Sequence, residues 1–119
     1  MIETILISYL INQTTSAGTN VYAERPETIP KTYILIEKTG SSTDNMITTS
    51  DIAIQSISDS LQGGSLIDAA LLNDEVKSVM QGLEALDDIV MVRLNTDYNY
   101  TDSRTKEYRY QAVYQITHY

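Results

Sequence analysis

Hydrophobic positions change period three times along this chain of 119 residues. Ile2, Ile5, Leu6, Tyr9 and Leu10 recur at helical spacing, which predicts an amphipathic helix over residues 2–12, with Glu3 in the first turn where the helix dipole favours an acid. The polar run Asn12–Asn20 ends it. Val21–Glu24 reads as a short strand. The RPETIPK segment that follows carries both prolines, Pro26 and Pro30. Each lacks an amide donor and biases its predecessor to extended geometry, so the segment is a stiff connection or an edge. Thr32–Gly40 is a strand, near-continuously apolar from Tyr33 to Ile36, and Ser41–Asn45 reads as a flexible loop. Met46–Ser60 alternates as a further strand with Ile52 and Ile54 on one face.

The glycine pair Gly63-Gly64 breaks the chain, and Ser65 with Asp68 predicts a capping box opening a second helix. Its apolar stripe holds Leu66, Ala69, Ala70, Leu72, Val76, Val79, Met80 and Leu83. Asp87-Asp88 turns into a final strand pair, Ile89–Tyr100 and Lys106–Tyr119, joined by a short polar run. In the last strand Tyr108, Tyr110, Ala112, Tyr114, Ile116 and His118 share one face, and Arg109, Gln111, Val113, Gln115, Thr117 and Tyr119 the other. The order is therefore α-β-β-β-α-β-β. It predicts an α+β fold in one domain over residues 1–119, a mainly antiparallel sheet with two helices packed on one face. The helices would cover the tyrosine-rich face, placing Tyr108, Tyr110 and Tyr114 in the core.

Composition narrows the function more than the fold. Sixteen acids against eight bases give a net charge of −8, and the bases are spread along the chain, which argues against gripping nucleic acid through its phosphates. There is no cysteine, so disulfides, thiolate metal sites and thiol catalysis are excluded. The N-terminal run has an acid at position 3 and no basic region, and it is short and interrupted, so neither a signal peptide nor a membrane span is expected. Both readings fit a protein made and used in a cytoplasm, which is the expectation.

Catalytic chemistry finds no foothold. The single histidine, His118, sits at a strand end with no recognisable nucleophile context, and one histidine without cysteine makes a zinc site improbable. Gly63-Gly64 lacks the Lys-Ser/Thr of a phosphate loop. Asp97–Asp102 has oxygen ligands at alternate positions, as calcium loops do, but no central glycine or terminal glutamate. Neither an enzyme nor a cofactor nor a metal is expected. Six of the nine tyrosines fall between Tyr98 and Tyr119, which serves either a core or an aromatic interface.

The amphipathic first helix, VYAERPETIPKTYILIEKTG (residues 21–40), DIAIQSIS (51–58), the second helix and the closing YNYTDSRTKEYRYQAVYQITHY (98–119) together resemble the small tail-terminator and head-tail joining proteins of long-tailed bacteriophages, especially those of Gram-positive bacteria and their prophages. The resemblance covers nearly the whole chain and rests on pattern, with no catalytic signature. It implies a non-enzymatic virion protein: a homo-oligomeric ring, usually a hexamer, that caps the tail tube protein and faces the head-tail connector protein. DNA would pass through the lumen without specific binding, and no membrane is involved. A connector-side adaptor is the neighbouring alternative, and an acidic DNA mimic a more distant one, because the carboxylates are scattered. On this reading the expected subunit or partner contacts are Arg25, Pro26 and Pro30, the loop residues Ser41, Ser42, Thr43 and Asp44, the hairpin tip Asp102, Arg104 and Lys106, and the polar face and terminal edge carrying Arg109, Gln111, Gln115 and Tyr119.

Overall fold

Two helices lie over one face of a five-stranded sheet in the computed structural model, which describes residues 1–119. The elements are α1 (Ile2–Ile11), β1 (Val21–Tyr22), β2 (Thr32–Asp44), β3 (Ile47–Asp59), α2 (Leu66–Met80), β4 (Ile89–Asn99) and β5 (Glu107–His118), with 3-10 turns at Ser60–Gln62 and Leu83–Ala85. Spatial order across the sheet is β1-β2-β3-β5-β4. Every pairing is antiparallel except the two-residue β1 beside β2. The α+β class and the predicted element order both hold. The body is elongated, 46 × 26 × 24 Å.

The core fills the space between helices and sheet. Ile2, Leu6 and Leu10 of α1, and Leu72, Val76 and Met80 of α2, meet Ile34, Ile36, Ile52, Ile54, Ala112, Tyr114 and Ile116. These are the even positions of β2, β3 and β5, so a period of two on the sheet faces a period of 3.6 on the helices. Burying one such aliphatic side chain contributes roughly 1.5–3 kcal/mol. Ser65 caps α2, its hydroxyl accepting from the Asp68 amide at 3.1 Å. The predicted box forms only by half: the Ser65 amide donates to Ser58 Oγ at 3.1 Å, leaving the Asp68 carboxylate to face Lys31 at 3.8 Å.

Four expectations need correction. Ser41–Asp44 is not a loop; it continues β2, paired with β3 as far as Asp44–Ile47. The stretch is polar because both faces of the hairpin end meet water, and Thr43 and Thr48 share a cross-strand hydroxyl contact of 2.9 Å. The turn is Asn45-Met46, both at positive φ (51° and 68°), the signature of a two-residue primed hairpin turn, with a methionine where glycine would be unstrained. A register shift between Lys38 and Gly40 exchanges the faces of β2 beyond that point.

The second correction concerns β5. It is not an edge but lies between β3 and β4, and the open edge on that side is β4. Third, of the three tyrosines expected in the core only Tyr114 is fully buried; Tyr108 and Tyr110 are half-buried, opposite Ser58 and Ser56 on β3. Fourth, the strand predicted over Val21–Glu24 stops at Tyr22.

Candidate functional site: the open face and edge of the sheet

No helix covers the second face of the sheet, and odd-numbered residues of β3 and β5 line it. At one end it holds a buried charge. Glu107 opens β5 and is 1% exposed. It accepts from the Tyr33 hydroxyl of β2, from Arg25 and from Arg109 Nη2 at 3.2 Å. Burial pushes the Glu107 carboxyl upward, but the hydrogen bonds from Tyr33 and Arg25 and the two guanidinium charges outweigh it and hold the group below its ordinary value. Tyr33 is raised in turn, by its burial first and by the same carboxylate second.

From Glu107 a chain of hydrogen bonds crosses the face. Arg109 Nη1 donates to Gln55 Oε1 at 3.3 Å, Gln55 donates to Gln111 Oε1 at 3.0 Å, and Gln111 donates to the Tyr98 hydroxyl at 2.6 Å. With Tyr33 included, the chain links all four long strands: one residue each from β2, β3 and β4, and Glu107, Arg109 and Gln111 from β5. It ties the sheet crosswise with polar groups, among which Tyr33, Ala53 and Ile57 are shielded on the same face at 0%, 2% and 0% exposed.

The residues proposed from sequence do not converge. Arg25, half exposed, and the half-buried Pro26 and Pro30 lie on the connection between β1 and β2, with Arg25 reaching Glu107. Asp102, Arg104 and Lys106 form the β4–β5 turn at that same end; Asp102 accepts from the Arg104 amide at 2.9 Å, and the Lys106 carbonyl accepts from the Ser60 amide at 3.0 Å. Ser41, Ser42, Thr43 and Asp44 are exposed at the far end of the long axis, as is Tyr119. Gln111 and Gln115 sit on the open face between. Arg109 and Gln111 are engaged inside the chain, by contacts that bind strands together.

Other polar clusters are structural. Lys77 on α2 pairs with Asp97 on β4 at 2.9 Å, and Asn73 donates to the same carboxylate oxygen at 2.9 Å. The Lys77 hydrogen bond, helped by Asn73, holds the Asp97 carboxyl low against its partial burial. Asp97 and Asp102 therefore serve different partners, and no group of three metal-ligating side chains comes together. Ser50 Oγ lies 2.9 Å from His118 Nε2, while His118 Nδ1 lies 3.1 Å from the Tyr119 oxygen. That oxygen only accepts, so Nδ1 faces it as a donor. Ser50 is 1% and His118 8% exposed, which shuts the pair away from a substrate. No helix is long and apolar enough to cross a membrane.

Sequence reasoning missed Glu107, Tyr33 and Gln55. One local signal existed: Glu107 and Arg109 share a face at spacing two. It also missed the groove of about 500 Å³ between α2 and β4, lined by Lys77, Met80, Gln81, Glu84, Val92, Leu94 and Tyr114. The Tyr114 hydroxyl is buried there without a partner, and burial pushes its pKa up to about 12.

No protein-family model matches the sequence, and no curated protein matches it. Among solved structures, a chain in the virion of a native gene transfer agent particle is similar with a TM-score of 0.58 and 17% identity, over 95% of this chain and 93% of that one. At that identity the likeness is one of fold, and it spans both molecules almost end to end.

Proposed function

We propose that this chain is a structural virion protein that closes the head-proximal end of a phage-type tail. In this reading copies of the chain form a ring, a hexamer by the family pattern, that stops polymerisation of the tail tube protein. The outer side of the ring then receives the head-tail connector protein. One observation carries the reading: the fold is shared over 95% of the chain with a component of an assembled virion. The sequence resemblance to tail terminators points the same way from separate evidence.

The chemistry of the surface supports a mechanical role. The Ser50–His118 pair is buried, and polar groups on the open face hydrogen-bond one another. With a net charge of −8 the protein offers phosphates little to hold, so DNA would pass a lumen of such subunits without being retained.

Electron microscopy of particles assembled without this protein tests the proposal. Overlong tails lying apart from filled heads are the expected result. Tails of normal length that fail to join heads would move the protein to the connector side, and normal joined particles would end the proposal.

A further inference from the structure

Apolar side chains are exposed at the far hairpin end (Met46, Ile47, Tyr119), at the Tyr98–Tyr100 pair, and on two surfaces that flank the sheet and differ in kind. One is the β4 edge, where Val90, Met91 and Leu94 are 44%, 47% and 41% exposed. Arg93 lies among them, exposed and in no ion pair within the chain. The other is the start of α2 with the turn before it, where Leu61, Ile67 and Leu71 are 74%, 70% and 54% exposed. Ile67 and Leu71 are one helical turn apart, and the acids Asp68 and Asp74 flank them.

The two surfaces sit on opposite flanks. β4 is one end of the sheet order, whereas Leu71 lines a groove with Asn20, Lys31 and Thr32, beside the β1–β2 end. A contact between them is therefore head-to-tail, the kind that repeats around a ring. A strand is a poor occupant for the β4 edge, because register shifts at Ile89/Met91 and Leu94/Thr96 interrupt the ladder that strand addition would extend. Two-fold pairing of β4 with itself is also disfavoured, since Arg93 lies next to the strand's midpoint and would meet its own copy. An apolar helix face with acids at its margin, Asp74 being 71% exposed, complements the unpaired Arg93 of this edge in charge.

We propose that the β4 edge of one copy, through Met91, Arg93 and Leu94, packs on the start of α2 of the next copy, through Ile67, Leu71 and Asp74. The inference rests on the ring reading and names the surfaces that close the ring.

The absence of cysteine makes the test direct. Leu71→Cys and Met91→Cys variants are prepared separately, then mixed with a short bis-maleimide, either in concentrated solution or on purified tail ends. Cross-linked dimer is expected only in the mixture, and a ladder ending in a closed species from the double variant. Homodimers from either single variant, no dimer in the mixture, or exclusive cross-linking to a different protein would each overturn the contact. Sedimentation supplies a second arm. Ile67→Asp is expected to weaken self-association roughly a hundredfold by placing a carboxylate in a desolvated contact, with the urea midpoint of the monomer unchanged. Rings that form equally well with Ile67→Asp overturn this contact while leaving the ring reading intact. A wild-type chain that never associates with its own kind, free or on tails, overturns both.

Discussion

Replacing Glu107 with alanine tests whether the open face is held by a buried charge. The substitution removes one carboxylate and strands three donors unequally. Arg25 has a side chain 51% exposed, so it returns to water at little cost. Tyr33 is fully buried, and its hydroxyl loses its only acceptor, a penalty of about 1–3 kcal/mol. Arg109 is only 17% exposed and already has Nε buried without a partner, so it keeps a charge with Gln55 as its remaining contact. Breaking a buried pair from one side costs about 3–5 kcal/mol, and we expect Glu107→Ala to fall near the lower end because Arg25 escapes. For a chain of this length, each kcal/mol moves the melting midpoint by about 4 °C, so the loss is about 12 °C.

Urea melts at several pH values make the assay specific. The Glu107 pKa is depressed in the folded state, so its contribution is fully present above the unfolded-state value and is lost as pH falls through the folded one. The gap between wild type and Glu107→Gln should therefore be widest above the ordinary glutamate value and shrink as pH falls below it. Asp97, lowered by Lys77, keeps a residual acid dependence in both proteins. A Glu107→Ala cost under about 1 kcal/mol, or a gap that does not move with pH, would refute the account.

Three further outcomes follow from the same geometry. Arg109→Glu sets a second carboxylate beside buried Glu107, so it should destabilise the monomer by about 3 kcal/mol or more in urea melts before any effect on assembly is read. Gly64→Ala should lower the melting midpoint, because a Cβ there would lie 2.2 Å from Ser58 Oγ and 2.7 Å from the Asp59 carbonyl oxygen, both part of the α2 entry. Tyr114 keeps its proton up to about pH 12 when folded and up to about pH 10 when unfolded, so wild-type stability should fall as pH rises between those values. Tyr114→Phe should reduce that slope in alkaline melts while staying within about 1 kcal/mol of wild type at neutral pH, since its hydroxyl has no partner to lose.

Elements with their own period were legible in the sequence. Ile2, Leu6 and Leu10, or Ile52 and Ile54, announce a buried face by spacing alone, and Ser65 announces a helix start. What stayed hidden depends on neighbours far along the chain. The parity of β5 separates its two faces correctly but says nothing about which strands flank it, so an interior strand passed for an edge. Ser41–Asp44 has a loop's composition, and only its pairing with β3 makes it a strand. Glu107 is one acid among sixteen, and its partners Arg25 and Tyr33 lie 82 and 74 positions away.

The placement of polarity also bears on how such a chain assembles. A half-covered sheet can resist face-to-face stacking in two ways: by bristling with charge or by binding its polar groups to one another. Here Gln55 and Gln111 join across β3 and β5, and Thr49 meets Thr117 at 3.3 Å further along the same face. Groups already paired gain little from a new partner and lose their existing bonds on meeting an apolar one, which costs about 1–3 kcal/mol for each donor or acceptor left unmade. The face is therefore a poor place to stick, while the β4 edge and the start of α2 keep apolar side chains in water with nothing to trade away. In the contact proposed above, association by apolar burial runs sideways, edge to helix, and leaves the polar face free. That geometry places subunits side by side, as a ring requires, and not stacked sheet upon sheet.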